Sequence, residues 1–205
     1  MEIEFKWEAN QAREFVRVQQ TIGKIGARIG KAAKLSLIDW YVDTPNRDFE
    51  KKQIAMRIRK TDNHFEATFK TRTEIVKGKA VRTERTCALP QAKTFAQALD
   101  LLQAKKTWNG LPIQTLQPIF VIYNKRQIQP VLFQQMVAEL AFDKCQISVC
   151  GRRVFFKEIE LELKKGSTKI LEKLAADLTR RACLIPARVS KVKTATALLK
   201  LWEEK

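Results

Sequence analysis

Glu158-Ile159-Glu160-Leu161-Glu162-Leu163-Lys164 alternates strictly between charged and large apolar side chains, and Glu2-Ile3-Glu4-Phe5-Lys6-Trp7 repeats the pattern near the opposite end of the chain. A period of two belongs to a strand with one buried face and one wet face. Carboxylates at every second position repel one another unless a cation sits among them. A hard divalent metal takes oxygen ligands from such a row. The two runs point to a site built from strands.

The pattern continues between them. Leu37 to Val42 reads as a strand stopped by Asp43-Thr44-Pro45-Asn46, and Ile54 to Lys60 with Phe65 to Arg72 reads as a hairpin across Thr61-Asp62-Asn63. Further strands are expected over Lys79 to Leu89, Ile119 to Ile128, Met136 to Asp143, Gln146 to Cys150 and Arg153 to Lys164. Helices are expected from Asn10 to about Ile29, from Lys93 to Lys106, from Ser167 to Cys183 and from Ser190 to near Trp202. Many antiparallel strands with helices outside predict an α+β fold with a closed or nearly closed sheet. There is no Gly-rich phosphate loop and no dinucleotide fingerprint.

Sorting each strand into its faces is the decisive step. Ile3, Phe5, Trp7, Met56, Ile58, Ala67, Phe69, Ala138, Leu140, Phe142, Ile159, Leu161 and Leu163 share an apolar side that the helices can cover. The other side carries Glu2, Glu4, Lys6, Arg57, Arg59, Glu66, Thr68, Lys70, Arg82, Glu84, Glu139, Asp143, Glu158, Glu160, Glu162 and Lys164, with Arg126 on a further strand. Burying so many ions costs several kcal/mol each unless they are paired or hold a ligand. A polyphosphate chelated to divalent cations suits such a lumen: bases hold phosphoryl oxygens and carboxylates hold metal. An open sheet with its charged face in water is the plain alternative. A half-open sheet binding RNA is disfavoured by the carboxylates and by the lack of aromatics on that face.

The chain has 205 residues, enough for a single domain over 1–205 whose C-terminal helices begin at about 167. Its net charge of +17 predicts an anionic partner. No apolar stretch is long enough to span a bilayer, and the charged opening strand shows no signal-peptide pattern, so a cytoplasmic location is expected. Cys87, Cys145, Cys150 and Cys183 lack C-x-x-C spacing and read as reduced thiols. Lys165 and Lys191 to Lys193 read as solvated faces and His64 as a surface residue. Trp7, Trp40 and Trp202 read as packing residues, and Trp108 as a loop anchor.

Several motifs, in order, resemble the CYTH family, the triphosphate tunnel metalloenzymes. Glu2-x-Glu4-x-Lys6 is similar to its ExExK signature, and Tyr41-Val42-Asp43-Thr44-Pro45 to its Y-x-D-T-P segment. Arg57-Ile58-Arg59, Thr68-Phe69-Lys70, Arg82-Thr83-Glu84, Arg126, Glu139 to Asp143, Glu158 to Gly166 and Ser190-Lys191 follow in family order. The resemblance covers essentially the whole chain. It implies a closed, eight-stranded antiparallel barrel that binds a triphosphate with Mg2+ or Mn2+. By position it implies metal ligation by Glu2, Glu4, Glu160 and Glu162, with Asp143 and Glu158 nearby. It implies phosphate binding by Lys6, Arg57, Arg59, Lys70, Arg82 and Arg126, with Glu84 orienting that shell. Thr86 and Thr194 depart from the family pattern, where acidic and arginine residues are frequent.

The Glu158 to Gly166 run and Ala141-Phe142-Asp143 most resemble the bacterial inorganic triphosphatase branch. The expected activity is metal-dependent triphosphate hydrolysis, with no membrane and no nucleic acid as partner. Thiamine triphosphatase, adenylyl cyclase and a non-catalytic binder of polyphosphate or RNA ends are the alternatives.

Overall fold

The computed structural model describes residues 2–62, 64–71, 74–108 and 110–203. Asn63 and Arg72, in the expected hairpin, lie outside them. In chain order the elements are β1 (Glu2–Ala9), α1 (Arg13–Lys24), β2 (Arg28–Ile29), β3 (Ala33–Asp43), α2 (Asp48–Lys51), β4 (Ala55–Thr61) and β5 (His64–Lys70). Then come β6 (Glu74–Val76), β7 (Lys79–Arg82), β8 (Glu84–Ala88), α3 (Phe95–Gln103), β9 (Thr107–Trp108) and β10 (Leu111–Pro112). The chain continues through β11 (Gln117–Phe133), β12 (Met136–Val149), β13 (Arg152–Lys165), α4 (Thr168–Arg181), β14 (Ile185–Pro186) and α5 (Lys191–Glu203).

The class is α+β, as expected, and the sheet is a strongly curled antiparallel half-barrel. Its hydrogen-bonded order is β6-β7-β1-β13-β12-β11-β3-β4-β5-β8, with β14 on β1, β2 on β11, and β9 paired with β10 apart. β11 runs past Ile128 to Phe133, and β12 is one strand where the sequence suggested two. The reason is the long β11–β12 ladder, which carries Lys144 and Cys145 through without a turn. Helix α1 begins at Arg13, because the Glu14 carboxylate accepts the Asn10 and Gln11 N–H groups from inside the first turn. It ends early, and the chain turns at Gly26 with φ +83°, where glycine has no Cβ penalty.

The alternation sets the packing. On the convex face Trp7, Val131, Ala138, Leu140, Ile159 and Leu161 form a buried core with Val18 and Ile22 of α1 and Leu171, Leu174 and Leu178 of α4. Trp7 Nε1 donates to Thr179 Oγ1 at 2.8 Å, and Phe15 stacks on Phe142 at 4.6 Å. A second core sets Met56, Ile58 and Ala67 against Phe49 of α2 and Ala98 and Leu102 of α3.

Helix α5 departs from the expectation that helices pack outside. Its Ala195 and Leu199 are buried against Tyr41, Phe120, Ile122, Cys145, Ile147 and Val149, on the concave side of the sheet. The cause lies in the strands. The face that carries Asp143 turns apolar at Cys145, Ile147 and Val149, and that stretch needs a cover of its own.

Candidate functional site

Antiparallel register assembles the charged face. It sets Glu4 opposite Glu162, Lys6 opposite Glu160, Glu2 opposite Arg82, Asp143 opposite both Arg126 and Glu158, and Lys70 opposite Glu84. The result is a cavity of about 1050 Å³ lined by Glu2, Glu4, Lys6, Arg57, Arg59, Lys70, Arg82, Glu84, Arg126, Glu160 and Glu162. Asp143 and Glu158 are buried; Asp143 meets this group through Arg126 and Lys191, and Glu158 through Lys191, rather than lining the cavity. Glu162 lies at the rim, 2.8 Å from Lys164 Nζ.

Carboxylate oxygens of Asp143, Glu158 and Glu160 all lie within 4.8 Å of one another. The Lys191 ammonium stands among them, 2.9 Å from Asp143 Oδ2, 2.7 Å from Glu160 Oε1 and in contact with Glu158 Oε2. The solvated face expected for Lys191 is therefore corrected: α5 begins inside the site and carries this lysine in with it. Burial opposes its charge, but Asp143, Glu158 and Glu160 outweigh that and hold it well above the ordinary lysine range. Burial likewise works against Lys6, and Glu160 and Glu4 raise it; Lys6 Nζ lies 2.5 Å from Glu160 and 3.1 Å from Glu4. Glu158 is pushed up by burial against the pull of Lys191 and Lys6. In Glu160 burial is overridden by Lys191, Lys6 and Arg126, which hold it far below the usual range.

The guanidinium groups differ in how fully they are engaged. Arg126 forks onto Asp143 at 2.7 and 2.6 Å, and Arg59 forks onto Asp39 at 2.6 and 2.8 Å. Arg82 spans Glu2, Glu84 and Glu4. Arg57 is buried with its Nε unpaired; Nη2 donates to Thr68 Oγ1 at 3.2 Å, and its carboxylate contacts are long, at 3.7 and 3.8 Å. Arg57 is thus a buried cation with donor capacity in hand.

At the β1–β8 side, Glu2 is pushed up to about 8 by burial, a hydrogen bond with Glu84 and the Glu4 charge, against Arg82 and Lys70. Burial, Arg57 and Arg82 press Lys70 down to about 7, although it is ion-paired with Glu84.

Asp39 escaped the sequence reading because it sits alone in a mostly apolar strand. The clue was its period-two alignment with Tyr41, beside the Arg57-x-Arg59 strand. Asp43 of the Y-x-D-T-P segment is structural: its carboxylate accepts the Thr44, Phe49 and Glu50 N–H groups and fastens α2. Thr86 Oγ1 lies 3.2 Å from Thr68 Oγ1 on the cavity wall, so this position offers a hydroxyl where an acid would offer a ligand. Among the described residues His64 is exposed and all four cysteines are unpaired.

The donor set suits a hard divalent cation, since buried carboxylate oxygens converge and thiol or imidazole ligands play no part. No helix among the described residues is long and apolar enough to cross a membrane.

The family model for the CYTH domain matches residues 1–195. An inorganic triphosphatase from Haemophilus influenzae is 34% identical over 137 residues, which is 67% of this chain. The chain spans only 38% of the length of that relative. Among solved structures, a Hippeastrum protein named as an adenylyl cyclase with a dominant triphosphatase activity superposes with TM-score 0.67, at 13% identity over 96% of each chain. A Pyrococcus horikoshii protein superposes with TM-score 0.61, at 20% identity over the full length of both.

Proposed function

We propose, from the premise that this chain belongs to the CYTH domain family, that it is a metal-dependent hydrolase of inorganic triphosphate or a related organic triphosphate. It would act as one domain over 1–205 in the cytoplasm. The observation that carries this reading is the single cavity in which Lys6, Arg57, Arg59, Lys70, Arg82 and Arg126 interleave with carboxylates.

A triphosphate can exchange partners with this network without stranding a charge. The basic groups leave their carboxylates for phosphoryl oxygens, arginine with its forked geometry and lysine as a point charge. The carboxylates so released, Glu2, Glu4, Glu160 and Glu162 with Asp143 and Glu158 behind, are the residues that would hold Mg2+ or Mn2+. Such an ion would supply neutralisation of phosphoryl charge and activation of water. Phosphoryl transfer then rests on positioning and electrostatics, and the chain needs no covalent nucleophile. Arg57, with its unpaired donor, is first in line for the substrate, and Glu84 orients Lys70 and Arg82.

The enclosing wall would be a closed eight-stranded tunnel. Supporting closure, β7 pairs with β1 while β8, one residue further along, pairs with β5, so residues 79–88 bridge the two edges.

The test is to incubate the purified protein with triphosphate, thiamine triphosphate or ATP and Mg2+ or Mn2+, following phosphate, pyrophosphate and cyclic AMP. Phosphate from triphosphate that disappears in Glu4→Gln supports the reading. Cyclic AMP with pyrophosphate, or tight binding without turnover, overturns it.

A further inference from the structure

The convex face of the sheet is covered by α1 and α4 over only part of its length. Beyond them, register aligns Lys125 with Lys144 and Lys144 with Lys157, and the neighbouring rung aligns Tyr123 with Gln146 and Gln146 with Phe155. Successive residues alternate between faces, so these six lie opposite the concave-facing Asn124, Arg126 and Asp143. Phe155 is 71% exposed and Tyr123 43% exposed, and neither ring belongs to a hydrophobic cluster. The six also line a cavity of about 650 Å³. Glu8 and Glu158, a register pair of the other face, and Lys191 of α5 line the far side of the same cavity.

Lysines directly opposite one another on adjacent strands repel. Nothing on this stretch of convex face relieves them. None of its described positions carries a carboxylate; Lys157 Nζ donates to the Asn10 carbonyl at 2.9 Å, and Lys125 and Lys144 have no ion pair among the described residues. The surface calls for an anion at the lysine rung and a flat apolar group at the aromatic rung beside it. Single-stranded nucleic acid supplies both, bases for the rings and phosphates for the ammonium groups. A duplex keeps its bases stacked away from Phe155. An acidic peptide leaves the rings unused, and a second copy face to face sets lysine rung against lysine rung. The charged concave face lacks this combination, since carboxylates crowd it.

We propose that the convex face of β11, β12 and β13 binds single-stranded nucleic acid, independently of the concave cavity. The test uses the full chain and a fluorescent oligouridylate of about 15 nucleotides, with its DNA counterpart and a 5′-hydroxyl end so that no triphosphate enters the cavity. Anisotropy is followed across a salt series. The expected result is binding that inorganic triphosphate does not displace and that Tyr123→Ala with Phe155→Ala weakens about tenfold or more. Phe155→Trp should retain it. Lys125→Ala and Lys144→Ala should each lower the slope of log affinity against log salt by about 0.7. All of these side chains are exposed, so thermal unfolding should stay cooperative. Unchanged affinity in the aromatic variants, displacement by triphosphate, capture by phosphatidylserine vesicles without oligonucleotide binding, or a dimer dispersed by Phe155→Ala would each overturn the proposal.

Discussion

Lys191 Nζ lies 2.9 Å from Asp143 Oδ2, a carboxylate with no solvent exposure, and so places the first residue of α5 at the centre of an acidic cluster. The ammonium stands among the oxygens best arranged for a divalent cation.

A tethered cation there competes with a free one. Lys191→Met should raise Mn2+ affinity about tenfold or more, read by titration calorimetry, because 1.4 kcal/mol of lost competition already gives that factor. Without metal the same variant leaves buried carboxylates unpaired and should lose about 3 kcal/mol of stability, which saturating Mn2+ restores. Mn2+ affinity equal to wild type would show that the ammonium and the ion do not share the site.

Arg57 and Arg59 should respond differently to truncation. Arg57→Ala removes a guanidinium with donor capacity unspent, so kcat/KM should fall about a hundredfold, or ~2.7 kcal/mol, with unfolding still cooperative and a smaller drop in urea midpoint than Arg59→Ala, because its contact with Asp39 is long, at 3.7 Å. Arg59→Ala strands the buried Asp39 carboxylate and should cost about 3–5 kcal/mol of stability. Equal effects of both on the urea midpoint would refute the distinction.

Asp39 supplies a pH signature. Burial pushes its carboxyl up, but Arg57 and Arg59 override this and hold it near 2, below its ordinary 3.8. A depressed carboxylate contributes stability above its unfolded pKa and loses it as pH falls through the folded value. About 2 kcal/mol should therefore disappear between pH 4 and pH 2. Asp39→Asn should be less stable at pH 7 and show a shallower acid limb in denaturation followed by circular dichroism.

Leu199 is buried where α5 meets the concave face. Leu199→Ala should cost about 2–4 kcal/mol. It should also speed amide exchange in α5 ahead of the α1 and α4 side of the fold. Uniform exchange throughout would mean that α5 opens only with the whole domain.

Much of this was legible in the chain. Strict alternation in Glu2 to Trp7 and Glu158 to Lys164 marks strands and sorts their faces, because consecutive side chains in a strand point opposite ways. The capping of α5 by Ser190 was legible too, since its hydroxyl accepts the Lys193 N–H. Lys191 was not. A lysine one residue into a basic helix reads as solvated, and no local pattern says which side of a sheet a helix will cover. Asp39 likewise looked like an isolated polar residue until β4 brought Arg59 against it.

Local periodicity, then, determined which side chains share a face, and so which acids and bases were available to meet. Tertiary structure decided their partners: ladder register set Lys6 against Glu160 and Arg126 against Asp143, and the apolar run after Asp143 drew α5 onto the concave side. Alternation depends on neighbours along one strand. Register, curl and helix placement depend on residues distant in the chain, whose contacts compete for the same buried space.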